Sequence, residues 1–555
     1  MGEERPSYSL LDEGWIPCLF DDGSVRELSL RQIFVEAPRV RDIVGELPTQ
    51  TFAIARLLMA ILHQALGHDF EKKGDWGRLW RKGLPVTEVH EYLEDYRDRF
   101  DLLHSETPFY QVAGLHTAKN ETKGVVALLF DVPSNFRLFT GRAGAALDDL
   151  SFAEAARWLI HVHAFDVSGI HSGMVGDARV KGGKGYGIGT GFAGELGGVL
   201  VEGSNLAETL LLNMVPRSGD RVHLDVPPWE RDADTAAARD DENPRGAVDL
   251  LTWQSRRVRL VRDGSRITGC LVGNGDKILP QNLHGIETMT AWRFSKPQTQ
   301  KNKGVPVFMP RTHQPDRAFW RGIAGLTVRR AGPGAASGPP PGFPPPVLNW
   351  LLELQDSALL DESQLIAPRA IGVEYGTQSS VVTNIIDDRL LTPLAVFDAD
   401  RHPRFSSCAR TAVDVADSAV RELGRLGQNL ALAAGYRDAE GPAKRAREEG
   451  FAALDLPFRT WLANLDIAST DDAESSLNDW KNQVGQVIRR IGRALVDASG
   501  ETAWQGRMVQ RLRGEQRITT SIAETWFEYG LERALTKVDV DGASQEHTEK
   551  EGTDG

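Results

Sequence analysis

The sequence predicts an α+β fold: a large, mixed and irregular N-terminal domain over residues 1–400, followed by a C-terminal four-helix bundle over residues 401–537. Three observations carry this. Length comes first, since 555 residues exceed what one core usually organises, and 41% are apolar, enough to bury more than one. Second, up to residue 400 short β-type runs and isolated amphipathic helices follow one another without a repeat. Third, beyond residue 400 apolar residues recur at three- and four-residue steps, the period of one helix face.

Residues 49–66 read as a helix, with Phe52, Ile54, Leu57, Leu58, Ile61 and Leu62 forming its apolar face. Residues 152–165 read as a second helix, opened by Ser151 and, three residues later, Glu154: a capping box. Strands are expected at 199–201, 258–261 and 305–309. Residues 331–346 (AGPGAASGPPPGFPPP) predict an exposed loop, because proline removes donors and glycine loosens the chain. In the C-terminal part, Val413, Ala416, Val420, Leu423, Leu426 and Leu430 mark one helix. Residues 443–465 are a second, and Trp480, Val484, Val487, Ile488, Ile491 and Leu495 mark a third. Trp504, Met508 and Leu512 mark the fourth. The polar tail 538–555 lacks periodicity and is expected to be disordered.

Composition excludes several classes. No run of about 18 apolar residues occurs, so no membrane partner is expected. The opening MGEERPSYSLLDEGWIP lacks a basic segment followed by an apolar run, which argues against a signal peptide and for a cytoplasmic location. Cys18, Cys270 and Cys408 are too scattered for a disulfide framework or a zinc site and are expected as bystander thiols. The formal net charge of −13 is unlike an independent nucleic-acid binder. Yet residues 251–330 hold 15 Lys/Arg against four acidic residues. Such a basic island points to a confined polyanion contact; a solvated face is the alternative.

Searches for catalytic chemistry return little. Gly189-Thr-Gly191-Phe-Ala-Gly194 fits the dinucleotide pattern, but no helix signal follows it. There is no P-loop, no HExxH and no GxSxG. His161 and His163 lie two positions apart, so on a helix they face different ways and cannot easily share a metal. The acidic pairs Asp148-Asp149 and Asp387-Asp388 are of a kind that any long chain carries. No cofactor, catalytic residue or metal is expected. The glycine run from Gly182 to Gly194, with Lys181 and Lys184, can expose backbone amides and let a ligand approach closely, or it can be a flexible loop.

Several segments, in order along the chain, resemble one family. Ser9-Leu-Leu-Asp-Glu-Gly-Trp-Ile-Pro17 is similar to the opening of the CasA family, the large subunit of the type I-E CRISPR Cascade complex. Glu106-Thr-Pro-Phe-Tyr-Gln111 resembles its HPFMQ-like segment, and the glycine run ending at Gly197-Gly198 its glycine loop. Trp253-Gln-Ser-Arg-Arg-Val-Arg-Leu260 resembles the strand before its lysine-bearing hairpin, and Tyr375-Gly-Thr-Gln-Ser379 its glutamine wedge.

The resemblance implies a non-catalytic subunit working with other Cascade subunits and a guide RNA (crRNA). It would read the protospacer-adjacent motif (PAM) of double-stranded target DNA from the minor groove. It would then promote strand separation and R-loop formation, and offer a platform to a helicase–nuclease. By the same resemblance Gln378 is the wedge, flanked by Thr377 and Ser379. Lys277, after Thr268-Gly-Cys-Leu271, is the lysine finger. Gly189 is the central loop glycine, with Gly187 and Gly191 as register alternatives. Within Asn135-Phe-Arg-Leu-Phe-Thr-Gly-Arg142, Phe139 would stack on or wedge the guide's handle, or belong to the core, and Arg142 would bind its phosphate. From the basic island, Arg256, Arg257, Lys301 and Lys303 are the expected contacts to the DNA backbone. The competing readings are a nucleic-acid hydrolase with a composite metal site and a helical scaffold without DNA readout.

Overall fold

In the computed structural model the chain divides into two units, residues 1–400 and 401–555. The residues described are 7–132, 140–217, 222–239, 243–329, 339–469, 472–511 and 514–536.

The first unit begins with a three-stranded antiparallel sheet, β1 (Ile16–Phe20) flanked by β2 (Val25–Leu28) and β3 (Val40–Ile43). Helix α1 (Pro48–Leu66) follows, with proline at its first position, where the missing N–H costs nothing. It is buried around nearly its whole circumference, so it runs through the core instead of lying on the surface. Its Arg56 forms an ion pair with Glu287 at 2.7 Å, both side chains 1% exposed. Beside it packs α2 (Phe152–Phe165), which starts as the sequence predicts: Ser151 accepts from the Glu154 N–H, and the Glu154 carboxylate accepts from the Ser151 N–H. His161 and His163 on α2 do face different partners. His161 meets the Thr49 hydroxyl at 2.9 Å; His163 Nε2 meets the Tyr110 carbonyl at 3.1 Å.

After α2 a short hairpin pairs β4 (His171–Ser172) with β5 (Lys184–Gly185). Strand β6 (Gly198–Glu202) covers the expected 199–201. The hairpin β7 (Arg256–Asp263) and β8 (Arg266–Asn274) covers the expected 258–261. Next come β9 (Trp292–Phe294) and β10 (Phe308–Pro310), joined through the short helix Lys296–Lys301. The expected strand at 305–309 therefore begins later, at Phe308. Of the expected loop 331–346, residues 331–338 lie outside the described ones. Gly342–Phe343 pair with β9, and Pro346 opens a helix running to Asp356, again with proline in its first turn. Proline and glycine thus punctuate this segment without keeping all of it irregular. Strand β11 (Leu365–Tyr375) is central to the largest sheet, paired with β6, with β12 (Val382–Arg389) and with the dipeptide β13 (Thr392–Pro393).

The second unit contains four long helices: α3 (Pro403–Ala434), α4 (Glu440–Ala463), α5 (Asp472–Asp497) and α6 (Thr520–Thr536). The expected fourth helix at 504–512 is corrected. Residues 501–505 form one turn, and β14 (Arg507–Arg511) then pairs with β15 (Gly514–Ile518). Gly506 and Gly514 adopt φ of +66° and +110°, outside helical space, and turn the chain into a hairpin. Leu512 and the expected tail 538–555 lie outside the described residues. Cys18, Cys270 and Cys408 are free and buried.

Candidate nucleic-acid interface

Three connections predicted to carry function meet around one arginine. Arg256, the first residue of β7, reaches under the end of α2. Its Nε donates to Asp166 Oδ2 at 2.5 Å, and its Nη2 donates to the carbonyls of Val167 and Gly189, each at 2.9 Å. Nη1 donates to the Ser255 carbonyl. One guanidinium thus fastens the exit of α2 and the glycine loop to β7. Arg257 does the same one position on: it pairs with Asp276 at 2.7 Å and donates to the Thr235 and Ala237 carbonyls.

Both arginines are 1% exposed. This corrects their expected role as contacts to the DNA backbone. A guanidinium with its donors spent on buried carboxylates and carbonyls has none left for phosphate, and freeing it would strand a carboxylate in low dielectric. A count of charge along the chain registers these cations but not their partners.

The glycine loop is held from both sides. Asn274, at the end of β8, donates to the Tyr186 carbonyl at 2.6 Å. Arg179 donates to the carbonyls of Asn274 and Gly275. The three candidate glycines have different surroundings. Gly191 is packed under α2; a Cβ there would sit 2.4 Å from the Ala164 carbonyl carbon and the Phe165 nitrogen. It is a packing residue facing the protein. A Cβ on Gly187 would meet the Ser168 hydroxyl at 2.9 Å. Gly189 alone of the three combines a positive φ, +112°, with open space where a side chain would project. It is the position where another backbone can come close and where only glycine fits without strain.

The wedge loop joins β11 to β12. Gln378 (φ 57°, ψ 22°) and Ser379 (φ 53°) both adopt left-handed backbone, which non-glycine residues seldom do. Thr377 and Gln378 are exposed and Ser379 is half-buried. The Ser379 carbonyl accepts from the Ser168 N–H at 2.8 Å, and the Tyr375 hydroxyl donates to the Phe165 carbonyl at 2.7 Å. The wedge loop and the glycine loop are thereby tied to the same stretch after α2. Lys277 is exposed and follows Asp276, the partner of Arg257, two residues after the Gly275 carbonyl bound by Arg179. Lys181 and Lys184 are also exposed on the β4–β5 hairpin. Burial pushes His171, 3.4 Å from Asp166, down to about 4, so its ring is neutral at pH 7.

With this geometry in place the comparisons are decisive. The family model described as CRISPR-associated protein Cse1 matches residues 9–491. The chain belongs to the Cse1 (CasA) family, the large subunit of type I-E Cascade. A curated CasA/Cse1 protein of Thermus thermophilus is 30% identical over 340 residues, a match spanning 60% of this chain and 62% of that relative. The Cse1 crystal structure from Thermobifida fusca is 43% identical, with a TM-score of 0.87, covering 96% of this chain and 99% of that one. Cse1 of Acidimicrobium ferrooxidans superposes at TM-score 0.77 with 27% identity, covering 96% and 98%.

In this Cse1 family member the other expected contacts lie apart from the three loops. Lys301 and Lys303 are exposed in the β9–β10 connection. The opposite end of that hairpin reaches Gly197, beside the Arg311 carbonyl. Arg142 is engaged with Glu46 and Glu154, its side chain 11% exposed, so any phosphate must compete with two carboxylates. Phe139 lies outside the described residues. Among those described, no group of three or more His, Cys, Asp or Glu is placed to hold a metal, and no helix is long and apolar enough to cross a membrane. Sequence reasoning missed Asp166, Arg179 and Asn274, which position the loops. Each acts on residues about 90 or more positions away, so no local pattern marks it.

Proposed function

We propose that this chain reads the motif flanking a double-stranded DNA target from the minor groove and helps separate the strands, within a complex whose guide RNA carries the long sequence specificity. The observation that carries the reading is the attachment of the glycine loop, the wedge loop and the Lys277 segment to one rigid frame around Arg256 and Asp166. Gly189 offers close backbone approach. Lys277, Lys301 and Lys303 supply charge for phosphates, and Thr377, Gln378 and Ser379 form the wedge. Arg142 and Phe139 face the guide's handle. The minor groove mainly separates A·T from G·C, so a backbone-and-lysine reader tolerates several motifs. The chain itself cuts nothing; a separate helicase–nuclease docks after the R-loop forms.

A gel shift of the reconstituted guide-RNA complex, with and without this chain, tests the reading on duplexes differing only in the flanking motif. The chain should tighten binding and make it depend on that motif. Equal affinity with and without it would defeat the proposal.

A further inference from the structure

The glycine loop carries a feature that neither the wedge nor the lysines explain. Tyr186 is 54% exposed and Ile170 is 59% exposed, although both are large and apolar. They belong together. His171 pairs with Gly185 in the β4–β5 hairpin, so Ile170 and Tyr186 stand opposite one another one step beyond the last paired position. Tyr186 is also held in place. Its carbonyl accepts from Asn274, itself 3% exposed, and the next residue, Gly187, abuts Ser168 and Gly169. Residues 168–170 lie between this pair and the wedge loop, which they meet through the Ser168–Ser379 hydrogen bond. An aromatic face and an aliphatic neighbour are therefore presented to solvent on a pinned backbone, on the same hairpin as exposed Lys181 and Lys184.

We infer that Tyr186, supported by Ile170, is a second nucleic-acid contact of this site: a stacking platform for a base unpaired beside the flanking motif. This rests on the function proposed above. Bases stack on aromatic rings whatever their identity, because each has a π face, and nearby lysines hold the backbone they hang from. A wedge needs such a partner. Once Gln378 enters the duplex, the base it displaces loses its stacking, and an aromatic surface at the edge of the opening returns part of that cost. The charge around the ring favours a polyanion over an apolar protein surface.

The test uses the complete reconstituted complex and a target carrying a fluorescent purine analogue in place of the base next to the motif, one strand at a time. Stacking quenches the analogue. With the wild-type chain, the analogue on one strand should stay quenched after strand opening. Tyr186→Ala should brighten it and weaken target binding about 5- to 100-fold, alike for all flanking motifs. Tyr186→Trp should restore both, and Tyr186→Leu should not. Unchanged fluorescence and affinity in Tyr186→Ala would overturn the inference. So would full recovery with Tyr186→Leu, which would mean simple apolar packing. Loss of Tyr186→Ala from the assembled complex, seen by size exclusion, would make this face a protein interface and overturn it too. Failure of the reading beneath it looks different: the wild-type chain itself would not tighten duplex binding.

Discussion

Replacing Arg256 by methionine should damage the fold of the first unit while leaving the number of phosphate contacts unchanged. The side chain is 1% exposed and donates to Asp166, Ser255, Val167 and Gly189. Methionine fills similar volume but leaves Asp166, only 14% exposed, without its cation. Removing one member of a buried pair typically costs about 3–5 kcal/mol, and this pair also closes three carbonyls. Urea unfolding of the isolated chain should show a loss of this size in the first unit. Adding Asp166→Asn to Arg256→Met should cost much less than Asp166→Asn costs alone, because the carboxylate is already unpaired. In the reconstituted complex, below its unfolding range, the variant should bind duplex more weakly as the glycine loop loosens. Its dependence of log affinity on log salt should keep the wild-type slope. A variant of wild-type stability whose slope falls by about one would identify Arg256 as a phosphate contact and refute this assignment.

Lys301→Ala/Lys303→Ala removes two exposed cations and should lower duplex affinity equally for all flanking motifs, flattening the salt slope by about two; an unchanged slope would remove these lysines from the interface. Gly189→Ala forces a side chain into φ +112° and should cost about 1–3 kcal/mol, measured by urea unfolding, with motif discrimination reduced in the gel shift. His161 and His163 are fully buried, and burial pushes both down to about 3. The unfolded chain therefore takes up protons below pH 6.5 that the folded one refuses, so stability should fall as pH drops from 6.5 towards 3. Urea midpoints across that range should show it, with a shallower fall in His161→Gln.

Much of the fold was legible because its signals are local. The α2 boundary follows from Ser151 and Glu154, three residues apart, and the long C-terminal helices from apolar periodicity. What failed was non-local or ambiguous. Trp504 and Met508 match a helical step by coincidence, while the conformations of Gly506 and Gly514 decide for a hairpin. The face of α6 is built on Ala523, Phe527, Leu531 and Ala534, half of it alanine, and a search for large apolar residues passes over it. For the candidate site, the family resemblance selected the loops that the frame holds near one another. It could not say which glycine faces outward, because that depends on α2 covering Gly191. Nor could the basic island reveal that Arg256 and Arg257 are internal, since Asp166 lies 90 positions before Arg256.

The backbone of the wedge loop dictates how the wedge itself should be tested. Gln378→Ala removes the side chain but also places alanine at φ 57°, so a loss of function would mix a missing wedge with a disturbed loop. Gln378→Gly separates the two. Glycine enters left-handed space readily, so the loop should keep its shape and the Ser379 carbonyl its bond to Ser168, with only the amide gone. Gln378→Asn also tolerates this conformation and keeps an amide, shortened by one methylene. If the side chain works by filling the gap between base steps, initial docking should survive in both variants. Strand separation should be lost in the glycine variant and partly retained in the asparagine one. A target already melted beside the motif has met the unstacking cost of a few kcal/mol and should rescue both. Normal strand separation by Gln378→Gly would show that the loop's shape acts and its glutamine does not. An equal defect on paired and melted targets would place Gln378 in docking, and the wedge would have to be sought elsewhere.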